Sequence, residues 1–312
     1  MPRWQLRFTG LCAFAVSTAL LSTSTASADE PAPAPSYSYL GGVAAHLANP
    51  GSAPPGANDP TCRPTAQRPE PVVLLHGLSN QAITWNTISP VLRAHGYCVF
   101  STDYGVGQLG SLGAVAPIEV SAAQIAAFID QVLATTGAEK VDVIGHSMGG
   151  AVPFYYLNHL GGIPKIDDYI AMAAPLAGTT LSGLQTMFAS VLDHTPDLET
   201  LLATRCGPCQ LTPGSPYLAV LNPDPAIAPD IDFTTIVTRY DQVATPYSTG
   251  LLAGPNVRNV VVQDLCATDF TEHYELTSDP VAVHAVLDSL DPSTPDTATC
   301  EVVLPFIGPV GR

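Results

Sequence analysis

Residues 140–150, Lys-Val-Asp-Val-Ile-Gly-His-Ser-Met-Gly-Gly, decide the fold. Val141 to Ile144, apolar apart from Asp142, make a short run of the kind that lies buried on both faces of a parallel sheet. The run passes straight into Gly145-His146-Ser147-Met148-Gly149, and a helix-like stretch follows. In that context G-x-S-x-G predicts a sharp strand-to-helix turn that pushes a serine hydroxyl out at the sheet edge. Glycines flank the serine because strand and helix pass too closely there for Cβ atoms. The N-terminus of the following helix favours developing negative charge beside the hydroxyl. Ser147 is therefore the candidate nucleophile.

Outward from this turn, Val72 to Leu75 is a second continuous apolar run, ending at His76-Gly77. Tyr97 to Tyr104, Tyr169 to Ala174, Phe233 to Tyr240 and Val257 to Leu265 are further strand-like runs, with helix-like stretches between them. One helix is predicted to start at Ser121, with Gln124 closing a capping box, Val120 and Ile125 as the staple, and Gly137 as the stop. Pro280 to Leu290 reads as the last helix. This alternation is the signature of an α/β fold with a mostly parallel central sheet and helices on both faces. One stretch breaks it. Residues 176–230 form a long connection carrying Met187, Phe188, Leu192, Leu198, Leu201 and Leu202, which reads equally as a lid over an apolar cleft or as a packed structural excursion.

A serine nucleophile needs a base, and the base needs an acid to hold its tautomer. In a sheet of this kind the chain order is Ser, then Asp or Glu, then His. His159 and His284 fall on helices and His194 in the insertion, whereas His273 lies in a loop after the last strand. Asp241 ends the strand-like TTIVTRY. Its rivals Asp230 and Asp232 precede that strand, Asp264 and Asp269 lie close to His273 on its own connection, and Glu272 is expected to point away. The backbone amides of Leu78 and Met148 are the expected oxyanion donors, and donors of this kind contribute about 2.7–4 kcal/mol each. His76 reads as a hydrogen-bonded loop anchor.

The two ends read differently from the middle. Arg3 and Arg7, the apolar run 11–21 and Ala26-Ser27-Ala28 make residues 1–28 a predicted export signal. Residues 29–60 read as a loosely held Pro-rich arm, and 61–312 as the folded domain. The formal charge of −16 argues against nucleic acid or anionic membrane as an electrostatic partner. No later segment reads as membrane-spanning, and the chain reads as an extracellular monomer needing neither cofactor nor metal. Export leaves six cysteines. Their pairing is open from sequence, and the favoured scheme is sequential: Cys62–Cys98, Cys206–Cys209 and Cys266–Cys300. Redox or zinc roles for Cys206-Gly-Pro-Cys209 lack the second cysteine pair or histidine cluster they would need.

With those residues assembled, residues 61–300 resemble the actinobacterial secreted lipases of the lipase class 2 group, within the α/β-hydrolase superfamily. The strings that carry the likeness are PVVLLHG, YCVFSTDYG, TGAEKVDVIGHSMGG, FYYLNHLGG, LAGTTLSGL, TRYDQVATPYS, GPNVRNVVVQD and CATDFTEH. The resemblance implies triacylglycerol lipase or carboxylesterase activity with Ser147, Asp241 and His273 as triad. Relatives often carry Gln where this chain has Met148, and His where it has Ala177. A polyester or cutin hydrolase and an acyltransferase share the same triad, and a catalytically dead binding module is the reading from another class.

Overall fold

The computed structural model describes residues 35–106, 112–183, 206–293 and 299–310. The predicted export signal, His194 and the apolar residues between Met187 and Leu202 lie outside the described residues. The strands are β1 (Val72–Leu75), β2 (Val99–Thr102), β3 (Val141–His146), β4 (Ile166–Met172), β5 (Asp232–Val237) and β6 (Val257–Val261). They form one parallel sheet in the order β2-β1-β3-β4-β5-β6. The strand order reverses between β1 and β3, and a crevice at the carboxyl ends beside such a switch point is where ligands bind.

The continuous apolar runs follow from this two-sided burial. Val73, Leu75, Val143, Tyr169 and Phe233 pack on one face, under α3 (Ile118–Thr136) and α5 (Pro153–His159). Val72, Leu74, Ile144, Ile170, Met172 and Ile236 pack on the other, under α2 (Ile88–Ala94) and α8 (Pro280–Leu290). Alternate side chains thus serve opposite cores, and neither face tolerates a polar run. The short helix α4 (Met148–Ala151) follows β3 directly, α6 (Pro216–Leu221) lies in the long connection, and α7 (Val262–Leu265) follows β6. Helix α3 is long and apolar enough to cross a membrane, but its Ile118, Ile125, Ile129 and Val132 are buried in the core.

Several local expectations are corrected. Helix α3 starts at Ile118, not Ser121. Pro117 occupies the cap with extended backbone, and the Ile118 amide donates to the distant Gln210 Oε1 at 2.8 Å. Gln124 closes no capping box; its Oε1 accepts from the Gly105 amide at 2.7 Å. A tertiary partner has displaced the local one in both cases. Residues 257–265 do not stay extended, because the chain coils into α7 and Gln263 turns inward to bond the Arg239 amide and the Thr238 hydroxyl.

Residues 35–60 are not loose. Ser38 caps α1 (Tyr39–Ala48), and the Tyr39 amide donates to Glu275 Oε2 at 3.0 Å. Asn58 bonds the backbone of Ser101 through both its side-chain donor and acceptor. Proline and glycine density had suggested disorder, yet the segment finds partners across the fold. The three cysteine pairs Cys62–Cys98, Cys206–Cys209 and Cys266–Cys300 are bonded, with Cα separations of 5.7, 5.2 and 5.1 Å.

Candidate active site

Ser147 sits between β3 and α4 with φ 55° and ψ −123°, a conformation that L-residues rarely adopt. Its amide donates to the Met172 carbonyl on β4 at 2.8 Å, which fixes the turn to the sheet. The flanking glycines are obligatory. A Cβ on Gly145 would stand 2.0 Å from the Gly149 carbonyl oxygen, and one on Gly149 would stand 2.1 Å from that of Leu75. The loop after β1 crosses the same point, since a Cβ on Gly77 would lie 2.9 Å from Ser147 Cβ. Leu78 therefore follows directly on the elbow's nearest neighbour, and Met148 is the first residue of α4, its side chain buried.

Asp241 and His273 come together at the same edge of the sheet. His273 Nδ1 lies 2.9 Å from Asp241 Oδ2, with both side chains almost wholly buried. The other carboxylate oxygen, Oδ1, accepts from the amides of Val243 at 2.8 Å and Ala244 at 2.7 Å. Three partners thus surround the Asp241 carboxylate. Gln242 adds a brace, its Oε1 accepting from the His273 amide at 3.3 Å. With Nδ1 donating to the carboxylate, the imidazole keeps Nε2 as its basic atom.

His146 is the residue that sequence reasoning passed over as a variable position. It is fully buried, its Nε2 lies 2.8 Å from the His273 carbonyl oxygen, and the two rings are 4.7 Å apart. Desolvation first, and the neighbouring His273 second, hold its pKa well below the ordinary value, so the ring is neutral. Nε2–H then donates to the His273 carbonyl, and Nδ1 has no partner among the described residues. The residue before the nucleophile thereby holds the backbone of the loop carrying His273. A histidine at the carboxyl end of a buried strand, directly before the serine, was the available signal.

The rival groups are engaged elsewhere. Asp264 pairs with Arg239 at 2.6 Å on the surface. Glu272 spends Oε2 on the Tyr274 amide and Gln242, and Oε1 on the Glu275 amide. Asp269 accepts from the Thr271 amide and hydrogen-bonds Asp279. Asp232 lies at the opposite, amino end of β5 and Asp230 before it. His159 bonds the Val220 carbonyl. His76 is an anchor in the loop after β1: Nδ1 bonds the Gly77 carbonyl at 2.9 Å, the Tyr104 amide donates to Nε2 at 3.3 Å, and the two rings stack. Burial lowers its pKa, so it too is neutral.

Two other features lie apart from the triad residues. A cavity of about 270 Å³ opens beside Ser79, Asn80 and Gln81 under α1, and neither Ser147, Asp241 nor His273 lines it. Asp142, Asp167 and Asp168 bring carboxylate oxygens within 4.8 Å of one another at the opposite end of the sheet. Lys140 already pairs with Asp167 at 2.7 Å, and burial drives the Asp142 pKa well up. That leaves little charge there for a divalent cation.

The sequence model of Lipase (class 2) matches residues 69–285, which spans every strand of the sheet and all three of Ser147, Asp241 and His273. The chain belongs to the class 2 lipase family. Among curated relatives, this class 2 lipase chain is 36% identical over 98 residues to a triacylglycerol lipase of Pseudarthrobacter phenanthrenivorans, 27% of each chain. It is also 36% identical over 98 residues to a triacylglycerol lipase of Burkholderia plantarii, 27% of this chain and 24% of that one. The match thus spans only about a quarter of either relative. Among solved structures, lipase B of Aspergillus fumigatus superposes with a TM-score of 0.56 at 17% identity, covering 79% of this chain and 57% of that one. That likeness establishes the α/β-hydrolase fold.

Proposed function

We propose that this class 2 lipase is a secreted serine hydrolase that cleaves carboxylic esters of lipid-like alcohols or acids through an acyl-enzyme on Ser147. The observation that carries the reading is the buried His273–Asp241 pair, seated through His146 on the residue that precedes the strained serine. In the reaction, His273 Nε2 takes the Ser147 hydroxyl proton as Oγ attacks the ester carbonyl. The backbone amides of Leu78 and Met148 stabilise the resulting oxyanion. Collapse expels the alcohol, protonated by His273, and leaves the acyl group on Ser147. Water, deprotonated by the same imidazole, then releases the carboxylic acid. Asp241 keeps the imidazole in the working tautomer and stabilises the imidazolium.

The sequence strings shared with exported actinobacterial lipases, the predicted leader and the three disulfides support secretion. Affinity for substrate rests on apolar contact, since a chain of charge −16 gains nothing from anionic head groups. Each buried methylene contributes about 0.8 kcal/mol, so kcat/KM is expected to rise from acetate to butyrate and beyond until the cleft is filled. Hydrolysis of a soluble p-nitrophenyl ester series at two ionic strengths tests this. A maximum at acetate, or a strong salt dependence, would refute the lipid-ester reading.

A further inference from the structure

The chain ends in a hairpin, β7 (Val303–Leu304) and β8 (Gly308–Pro309), that lies beyond the stretch matched by the family. Residues 302–310, Val-Val-Leu-Pro-Phe-Ile-Gly-Pro-Val, carry no charge. Only Val303 among their larger apolar side chains is fully buried, while Val302, Phe306, Ile307 and Val310 are 41% to 61% exposed. The hairpin is nevertheless firmly held. The Cys266–Cys300 disulfide ties its base to the end of α7, the Phe270 amide donates to the Val303 carbonyl at 3.0 Å, and the Val310 amide donates to that of Val302 at 2.9 Å.

Its neighbours extend the same surface toward the active site. Phe270, three residues before His273, is 38% exposed and packs its ring 5.5 Å from that of Tyr240, itself 44% exposed and adjacent to Asp241. Phe306 stacks 6.2 Å from Tyr274, the residue after His273. Ring contacts and exposed apolar side chains therefore lie on the Asp241 loop, the His273 loop and the hairpin alike. Clustered exposed apolar side chains mark sites that meet a protein or a lipid surface.

We propose that this surface docks the enzyme on uncharged ester-lipid droplets. Charge selects the occupant. A second copy would bring another net charge of −16 toward the first, and an anionic bilayer would repel it likewise, whereas a neutral droplet offers apolar contact without repulsion. The placement gives the docking a purpose, because it fixes the Asp241 and His273 loops against the phase that holds the substrate. The idea rests on the lipid-ester reading above.

The test uses the full chain with Ser147→Ala, so that droplets stay intact, with and without the exposed pair Ile307→Asp and Val310→Asp. Partition onto triolein droplets is measured by flotation, and p-nitrophenyl butyrate hydrolysis is followed with Ser147 restored. The docking surface predicts a loss of partition of about tenfold or more, with hydrolysis of the soluble ester within about twofold of the parent. Equal partition of both chains overturns the proposal. So does a parent that sediments as a dimer which the two substitutions dissolve. If the parent hydrolyses no ester yet the partition difference is seen, the lipid-ester reading falls and the docking surface stands.

Discussion

Two buried aspartates at opposite ends of the same sheet show what a fold must provide for a carboxylate to work. Asp241 follows the carboxyl end of β5 and Asp142 stands at the amino end of β3, 8% and 4% exposed. Asp241 receives two backbone amides and an imidazole N–H within 2.9 Å. Asp142 receives the Asp168 amide at 3.2 Å and otherwise faces Asp168, Asp167 and Glu70. Burial, and then the neighbouring Asp168, push the Asp142 pKa well up. The difference lies in donors rather than in depth, since desolvation penalises both. The chain aims N–H groups at Asp241 and hardly at Asp142.

Removing the proposed nucleophile should have the largest effect. Ser147→Ala is expected to lower kcat on soluble esters by on the order of 10⁶, with the circular dichroism spectrum unchanged. More than a few per cent residual activity in a folded variant would remove Ser147 from the mechanism. Asp241→Asn keeps the shape but releases the imidazole tautomer, at a cost of on the order of 10⁴ in kcat. Asp264→Asn, which loses only a surface pair with Arg239, should change kcat by less than about twofold. A larger loss from Asp264→Asn than from Asp241→Asn would exchange their roles.

His146 sharpens the comparison because it binds no substrate and acts through His273. His146→Phe is expected to reduce kcat by about 10- to 100-fold with KM little changed, as for a base displaced from its working geometry. His146→Gln, whose amide can still donate to the His273 carbonyl, should recover much of that loss. Equal damage from both substitutions would show a packing role only.

For carboxyls whose pKa is raised the effects are on stability. Asp168 is pushed up to about 7 and Glu275, under α1, to about 8, both chiefly by desolvation, from ordinary values of 3.8 and 4.5. A carboxyl whose folded pKa is raised holds its proton in the native state after the unfolded chain has released it. Stability from these groups is thus full below about pH 4 and falls as pH rises through about 7 to 8. Asp142→Asn mimics the protonated form and still accepts from the Asp168 amide. It should raise Tm at pH 8 by a few degrees, on the order of 1 kcal/mol, and flatten the decline with pH, leaving kcat untouched. A lower Tm at pH 8 would mean that Asp142 is charged in the native state.

The same contrast explains what the sequence disclosed. KVDVIGHSMGG carries its own instructions, because the glycines and the strand-to-helix switch are local necessities, and the parallel sheet follows from apolar runs bounded by turns. Chain order and strand ends named Asp241 and His273, whose side chains lie 2.9 Å apart. The Ser121 cap, the loose arm and the continuous strand 257–265 failed for one reason: Gln210, Glu275 and Thr238 supply partners from far along the chain, and no local pattern announces them. His146 escaped because its partner is a carbonyl 127 residues away.

The account turns on Ser147 being a nucleophile made reactive by the His273–Asp241 pair. Incubation of the folded enzyme with a fluorophosphonate, followed by intact mass measurement and peptide mapping, tests both halves at once. The account predicts one adduct, on the peptide carrying Ser147, formed orders of magnitude more slowly in Asp241→Asn. An adduct on any other residue, or continued ester hydrolysis by an enzyme fully labelled at Ser147, would contradict it.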